Sequence, residues 1–184
     1  MSKKLADILR KTAIIALTII AGLGFYTYNA QVLVGNPLPM PFGVGTAVVV
    51  SGSMEPAIHV NDLLIVKEAK KEAIHVGDVI VFQGERSLIA HRVVEMQDEY
   101  LITQGDANNV ADAPIDWEQV KGRMIGRVPA IGNVVGIIRQ PVVCIFLLVV
   151  AIYMFEKSFR MEKEEKNEEL EALRREIERL KEED

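Results

Sequence analysis

A chain of 184 residues has room for one modest domain with accessory segments. Hydrophobic residues make up 49% and charged residues 26%, and the net charge of -5 comes largely from the C-terminal end. No basic cluster with interleaved aromatic residues is present, which argues against nucleic acid as a partner. The single cysteine, Cys144, excludes a disulfide framework and a thiolate metal site, and we expect neither a metal nor a cofactor.

The first element in chain order is an apolar block over residues 12–34 that contains no charged side chain. About 20 apolar residues in a helix cross the hydrocarbon layer of a membrane, so residues 1–34 are predicted to hold a transmembrane helix. A cleavable signal peptide is the alternative, but the block is longer than the usual apolar core of one. We therefore predict a retained anchor with a cytoplasmic basic flank formed by Lys3, Lys4, Arg10 and Lys11.

The middle segment, residues 35–133, alternates short β-branched and apolar runs with glycine, aspartate and asparagine. This pattern is typical of antiparallel strands joined by tight turns. It predicts a mainly β fold, a small antiparallel β-barrel or sandwich between two transmembrane helices, followed by a charged C-terminal helix. The predicted strands cover residues 46–50, 62–67, 78–82, 88–94 and 100–103.

A second apolar block covers residues 134–155 and is interrupted by Arg139 near its start. It lacks the polar stripe that a helix in a soluble core carries, so it predicts a second transmembrane helix. Two crossings return the chain to its starting side. We therefore predict a multi-pass protein of the cell membrane, in contact with lipid, with residues 35–133 outside the cytoplasm and both termini inside.

The charged tail, residues 156–184, has a helix-forming composition rich in Glu, Lys and Arg. One narrow apolar stripe repeats at intervals of three and four residues, which is the spacing of a coiled-coil seam. Two heptads do not distinguish self-association through this helix from a solvated helix, and both interpretations stay open. The stripe consists of Leu170, Leu173, Ile177 and Leu180.

The valine run Val48–Val50 ends in a turn segment, Ser51–Pro56, that reads SGSMEP. Gly52 allows a close turn of the backbone, and the closing proline prevents continuation as a helix or a central strand. Such a turn would hold the hydroxyl of Ser53 in place, as a nucleophile requires. A serine in a turn is by default only a loop residue, so the rest of the chain must support this interpretation.

A serine nucleophile needs a base that takes its proton during attack. The chain has three histidines, and two of them, His59 and His75, lie in predicted loops. His91 lies on an apolar face of the predicted strand 88–94, where its ring needs a polar partner. A structural histidine and a catalytic base both fit this position, and the lack of another well-placed base favours His91 as the base.

The loop after the predicted strand 100–103 contains two carboxylates, Asp106 and Asp112. Aspartate in such a loop is first of all a turn former. A carboxylate beside the imidazole would also fix its tautomer and stabilise the imidazolium that forms during attack. Spacing alone does not distinguish Asp106 from Asp112.

Five motifs follow one another between residues 47 and 132: SGSMEP, GDVIVF, AHRVV, TQGD with the later Asp112, and VPAIG. In this order they resemble the boxes of type I signal peptidases. The histidine of AHRVV resembles the endoplasmic-reticulum type branch, which archaea and some Gram-positive bacteria share. The common bacterial branch has a lysine in that box, whereas Lys67, Lys70 and Lys71 of this chain lie outside it.

The resemblance implies a role for each matched residue. Ser53 would be the nucleophile and His91 the general base and then acid. Asp112 would be the third catalytic residue, while Asp106 would support the loop or share that role. Ser51 would contribute to the oxyanion hole. The implied activity is that of a membrane-bound serine endopeptidase, a hydrolase that removes signal peptides from secretory preproteins after a small-x-small site.

Two other functions fit the same sequence. A non-catalytic, membrane-anchored subunit of a secretory complex would keep the motifs for structural reasons. A self-cleaving regulatory serine protease would cut its own chain.

Overall fold

A computed structural model describes residues 3–182 and divides into two compact units. One unit joins the chain up to Gly24 with the chain from Pro141 onward, and the other is Phe25–Gln140. All the described β-strands lie in the second unit. The α-helices of the described chain are α1 Lys3–Val32, α2 Gly132–Ile138 and α3 Pro141–Glu182.

Two of these helices, α1 and α3, are long and apolar enough to cross a membrane, judged by length and composition alone. In α3 the second apolar block from Pro141 onward and the charged tail form one uninterrupted helix of 42 residues, while residues 134–138 of that block lie in α2. A helix of that length extends about 60 Å, roughly twice the thickness of the hydrocarbon layer. Its charged half carries ion pairs between residues four apart, such as Glu156 with Arg160 at 2.5 Å. The membrane placement of both helices stays a prediction.

The second unit is built on one seven-stranded sheet in which all neighbouring strands are antiparallel. The strands are β1 Val44–Val48, β2 Leu63–Lys67, β3 Val79–Gln83, β4 Leu88–Met96, β5 Tyr100–Gln104, β6 Ile115–Asp116 and β7 Val120–Val128. The mainly β fold that the sequence predicts is confirmed. Their order in the sheet is β1-β2-β7-β3-β4-β5-β6, so the last strand of the chain lies between β2 and β3.

The sheet carries apolar side chains on both faces. Successive residues of a strand point to opposite faces, and Val79 and Val81 of β3 belong to a first cluster on one side. Ile80 and Phe82 belong to a second cluster on the other side. β3 is therefore buried on both faces, which explains its uninterrupted apolar run. The first cluster also contains Leu38, Met54, Ile58, Leu64 and Val66, and the second Ile74, Val93, Leu101 and Ile115.

Helix α2 begins directly against β1 because Gly132 has no side chain. A Cβ on Gly132 would lie 2.5 Å from Cγ1 of Val48 and 2.9 Å from the carbonyl oxygen of Asn61. The N–H of Gly132 donates to that carbonyl oxygen at 2.8 Å, and the N–H of Asn133 donates to the side-chain oxygen of Asn61 at 2.6 Å. These contacts fix where the helix starts relative to β1.

Candidate active site

Ser53 lies in a turn between β1 and β2, in the segment that the sequence singles out. The next residue, Met54, is 2% exposed and packs in the first cluster, so it anchors the turn to the core. The N–H of Glu55 donates to the carbonyl oxygen of Gly52 at 3.1 Å. From the other side, the N–H of Ala107 donates to the carbonyl oxygen of Ser53 at 2.9 Å. The half-buried serine is therefore held by backbone contacts on both sides.

His91 lies on β4, opposite Ile80 of β3, and is 7% exposed. Its ring meets Phe82 edge-on, with 6.4 Å between the ring centroids. The Nε2 atom of His91 lies 3.1 Å from the hydroxyl oxygen of Ser53. The imidazole is thus within hydrogen-bond distance of the hydroxyl, on a face of the sheet that packing shields from water.

Asp112 lies on the opposite side of the imidazole. Its Oδ2 is 2.6 Å from Nδ1 of His91 and accepts a second hydrogen bond, also of 2.6 Å, from the hydroxyl of Thr103. The N–H of Asp112 donates to the carbonyl oxygen of Thr103 at 2.8 Å. An ionised carboxylate can only accept, so with a neutral imidazole Nδ1 would donate its proton to Asp112 and Nε2 would present its lone pair toward Ser53.

Thr103 is a residue of the site that the sequence analysis missed. It is fully buried, at 0% exposure, and ties the carboxylate of Asp112 to the end of β5. The available signal was its position, since it immediately precedes the loop that contains both candidate carboxylates. A threonine in a strand is common enough that this signal alone predicts nothing.

Asp106 does not contact His91 in this arrangement and instead binds Arg92. The guanidinium of Arg92 donates to both carboxylate oxygens, at 2.8 and 2.7 Å, and also to the carbonyl oxygen of Gly77 at 2.7 Å. The hydrogen bond to Asp106 raises the pKa of Arg92. This two-point ion pair ties the loop after β5 to β4, so Asp106 supports the loop that carries Asp112.

Ser51 lies beside the candidate nucleophile, with 3.4 Å between its hydroxyl oxygen and that of Ser53. Its side chain is exposed toward the cavity in front of the turn. A hydroxyl in this place can donate to an oxygen atom bound next to Ser53, which is the role that the resemblance implies. That role stays a prediction.

The other two histidines lie elsewhere. The ring of His75 is 74% exposed and its Nδ1 is 3.8 Å from a carboxylate oxygen of Asp78. His59 is an exposed residue whose backbone N–H donates to Asp62 at 3.1 Å. Neither ring belongs to the cavity in front of Ser53.

A cavity of about 540 Å³ opens in front of Ser53 and His91. Its floor consists of side chains of the first cluster, among them Leu38, Met54 and Val81. Its walls are formed by the end of β1 with the following residues and by the start of β4. The cavity is therefore apolar at its base and bordered by backbone.

Both walls present backbone groups that face away from the rest of the sheet. The N–H of Val49 donates to the carbonyl oxygen of Asp62 on the β2 side. The backbone groups of its neighbours Val48 and Val50 therefore point away from β2, toward the free edge. On β4, the pairing with β5 begins only at Arg92. Residues Leu88–Ala90 lie before that point and pair with β3 alone. An extended chain inserted in the cavity would meet a strand edge on each side.

The profile of the Peptidase S24-like family matches residues 23–129, more than half of the chain. The chain belongs to this family. All five predicted site residues lie within the Peptidase S24-like match. Among known proteins, the chain is similar to the signal peptidase complex catalytic subunit SEC11C of Homo sapiens, Canis lupus familiaris and Mus musculus.

The identity to each of these relatives is 34% over 118 residues, covering 56% of this chain and 58% of the relative. The chain therefore matches less than two thirds of the length of these proteins. The S24-like match and the SEC11C similarity together confirm the resemblance to the endoplasmic-reticulum type of signal peptidase that the ordered motifs predict.

Proposed function

We propose that this chain is a membrane-bound serine endopeptidase that removes signal peptides from secretory preproteins. The observation that carries the proposal is the series of contacts from Ser53 through His91 to Asp112. A cavity bordered by free strand edges opens in front of Ser53 and His91. Membership of a peptidase family and similarity to a signal peptidase catalytic subunit support the same reaction.

In the proposed reaction, the hydroxyl oxygen of Ser53 attacks the carbonyl carbon of the scissile bond while Nε2 of His91 takes the hydroxyl proton. Negative charge develops on the carbonyl oxygen, which would accept hydrogen bonds from the Ser51 hydroxyl and the Ser53 N–H. The imidazolium, stabilised by Asp112, gives its proton to the leaving amine, and an acyl-enzyme remains. The same imidazole then activates a water molecule that hydrolyses the ester and releases Ser53.

The substrate would bind as an extended strand between the edges of β1 and β4. Side chains at the first and third positions before the cut would point to the same side, because alternate residues of a strand share a face. We place that side toward the apolar floor of the cavity. The space above Leu38, Met54 and Val81 would accept short side chains, which accounts for the proposed small-x-small preference.

We further infer that α1 and α3 cross the cell membrane, with the sheet domain on the extracytoplasmic face and both termini in the cytoplasm. The apolar part of a signal peptide lies in the bilayer, and its cleavage site emerges at the outer face. A peptidase anchored at that face would meet its substrate already oriented. The proposed partners are secretory preproteins and membrane lipid, and self-association through the charged half of α3 remains a hypothesis.

The test compares Ser53→Ala and His91→Ala with His75→Ala, using full-length protein in liposomes and a preprotein with a small-x-small site. His75 is an exposed histidine that does not line the cavity, so its variant is the matched control. We expect each site variant to lower the cleavage rate at least about 1,000-fold and the control to keep its rate.

Thermal melting of each variant separates loss of chemistry from loss of folding. Cleavage that survives Ser53→Ala in a folded protein would identify a non-catalytic subunit. Cuts found only within this chain, with an intact preprotein, would identify a self-cleaving protease.

A further inference from the structure

Arg139 is an arginine of the cavity that the proposed reaction does not use. It immediately follows α2, at its C-terminal end, and its side chain lines the same cavity as Ser53 and His91. The close packing of Gly132 on Val48 fixes the start of α2, and the seven residues of the helix bring Arg139 back to β1. The position of this guanidinium is therefore a consequence of the fold.

The guanidinium of Arg139 covers one backbone group on the edge of β1. Its Nη2 donates to the hydroxyl of Thr46 and lies 3.4 Å from the carbonyl oxygen of the same residue. The N–H of Glu68 donates to the carbonyl oxygen of Gly43, and the N–H of Val49 donates to the carbonyl oxygen of Asp62. The backbone groups of the odd-numbered residues of β1 therefore face β2. The carbonyl of Thr46 consequently points to the free edge.

The charge of Arg139 has no carboxylate partner among the described residues, and desolvation alone lowers the pKa of its guanidinium. The ion-paired arginines of this domain, by contrast, each hold an aspartate, as Arg92 holds Asp106 and Arg127 holds Asp62. A partly buried cation without a counter-ion costs free energy, and donation to Thr46 offsets only part of that cost. N–H groups of the guanidinium therefore remain available to a ligand in the cavity.

We propose that Arg139 ends the substrate-binding edge of β1 at Thr46 and thereby sets how many residues of a signal peptide can be extended before the cut. The inference rests on the proposed function and concerns the substrate length that the site accepts. An incoming strand can pair with the outward groups of Val48 and Val50. It cannot continue past Thr46, because the guanidinium already occupies that carbonyl oxygen.

The direction of the substrate follows from the chain order. Arg139 lies two residues before Pro141, the first residue of α3, so along the chain it adjoins the proposed membrane span. The apolar part of the signal peptide arrives from the membrane, and the substrate therefore runs parallel to β1 toward Ser53. From Thr46 to Ser51 a strand advances about 16 Å, which accommodates about five extended residues.

The guanidinium is also suited to the end of the apolar segment of the signal peptide, which precedes those extended residues. A helical apolar segment ends in carbonyl groups that have no partner within the helix. Cations stabilise the C-terminal end of a helix. Arg139 would therefore mark the boundary in the substrate between a helix in the membrane and an extended strand in the cavity.

The experiment measures kcat/KM for a series of precursors that carry from about three to nine residues between the apolar segment and the cut, spanning the length of the edge. Full-length wild-type protein, Arg139→Ala and Arg139→Gln are compared in liposomes. We expect the wild type to prefer a narrow range of lengths. In both variants, kcat/KM for the longest precursors should rise about fivefold relative to kcat/KM for the most rapidly cleaved precursor, because one hydrogen-bonding group of the strand edge is freed.

Arg123→Ala is the matched control, because Arg123 pairs with Asp78 and does not line the cavity. Equal loss of rate at all lengths in a folded Arg139→Gln protein would overturn the inference and leave Arg139 a structural residue. An unchanged length profile in both variants would do the same while leaving the proposed function intact. A wild type that cleaves no precursor of any length would refute the proposed function itself, and the inference with it.

Discussion

A Cβ on Gly105 would lie 2.6 Å from the carbonyl oxygen of Ser53. The loop that supplies Asp112 therefore packs backbone to backbone on the turn that supplies Ser53, and only glycine permits this approach. The distance between the candidate nucleophile and the rest of the site thus depends on a residue that takes no part in the proposed chemistry.

Gly105→Ala is expected to push this loop away from the Ser53 turn and to lower kcat about 100-fold, because a misplacement of about 1 Å costs that much. KM should change little, since neither strand edge of the cavity moves. Gly136→Ala is the control, because a Cβ there meets no atom within 4 Å. Steady-state kinetics on one preprotein checks the split between kcat and KM, and equal effects of the two variants would contradict it.

Asp112→Asn and Asp106→Asn should separate the two candidate carboxylates. An amide at position 112 no longer fixes the tautomer of His91, and we expect kcat to fall by about 1,000-fold to 10,000-fold. An amide at position 106 loses the ion pair with Arg92, which is worth about 1 kcal/mol of stability or less because the pair is partly exposed. Comparable losses of kcat in both variants would argue against Asp112 as the orienting acid.

The carboxyl group of Asp62 should control the stability of the fold in acid. Chiefly the backbone N–H of His59, followed by that of Ala130 and the Arg127 guanidinium, holds the pKa of the Asp62 carboxyl below its usual range, although burial opposes this. The folded pKa lies below the unfolded value of about 3.9, so ionised Asp62 stabilises the fold fully above that pH. The contribution is lost as the pH falls through the folded pKa.

The check is a series of melting temperatures for Asp62→Asn and wild type from neutral pH to below pH 4. The variant should melt at a lower temperature at neutral pH, and the difference should shrink in acid. Asp98→Asn serves as the control because the Asp98 side chain is fully exposed beside Lys71. A difference between Asp62→Asn and wild type that grows in acid would have the wrong sign for this account.

The sequence predicts the fold class and the first five strands because each strand is a short run of β-branched and apolar residues between turn formers. It does not predict β7, whose residues include two glycines and three cations. The glycines and cations of β7 are explained by contacts with segments that are distant in sequence. A Cβ on Gly122, for example, would lie 2.4 Å from the carbonyl oxygen of Lys67. Arg123 and Arg127 meet Asp78 and Asp62 on other segments.

The same limit applies to the site. The candidate nucleophile and base can be proposed from a turn and a strand, which are local patterns. The two carboxylates can be distinguished only by their partners, since Arg92 binds Asp106 and Thr103 binds Asp112. Both partners lie on strands, and neither contact follows from spacing within the loop.

The central place of β7 has a consequence for how the protein is made. Strands β1 and β2 flank the turn with Ser53, while His91 and Asp112 belong to β4 and to the loop before β6. Among the described strands, only β7 pairs with both β2 and β3 and so joins these two parts of the sheet. Among the described strands it is also the last to be synthesised. The part of the sheet with Ser53 and the part with His91 and Asp112 are therefore joined through β7 only after the rest of the sheet has left the ribosome.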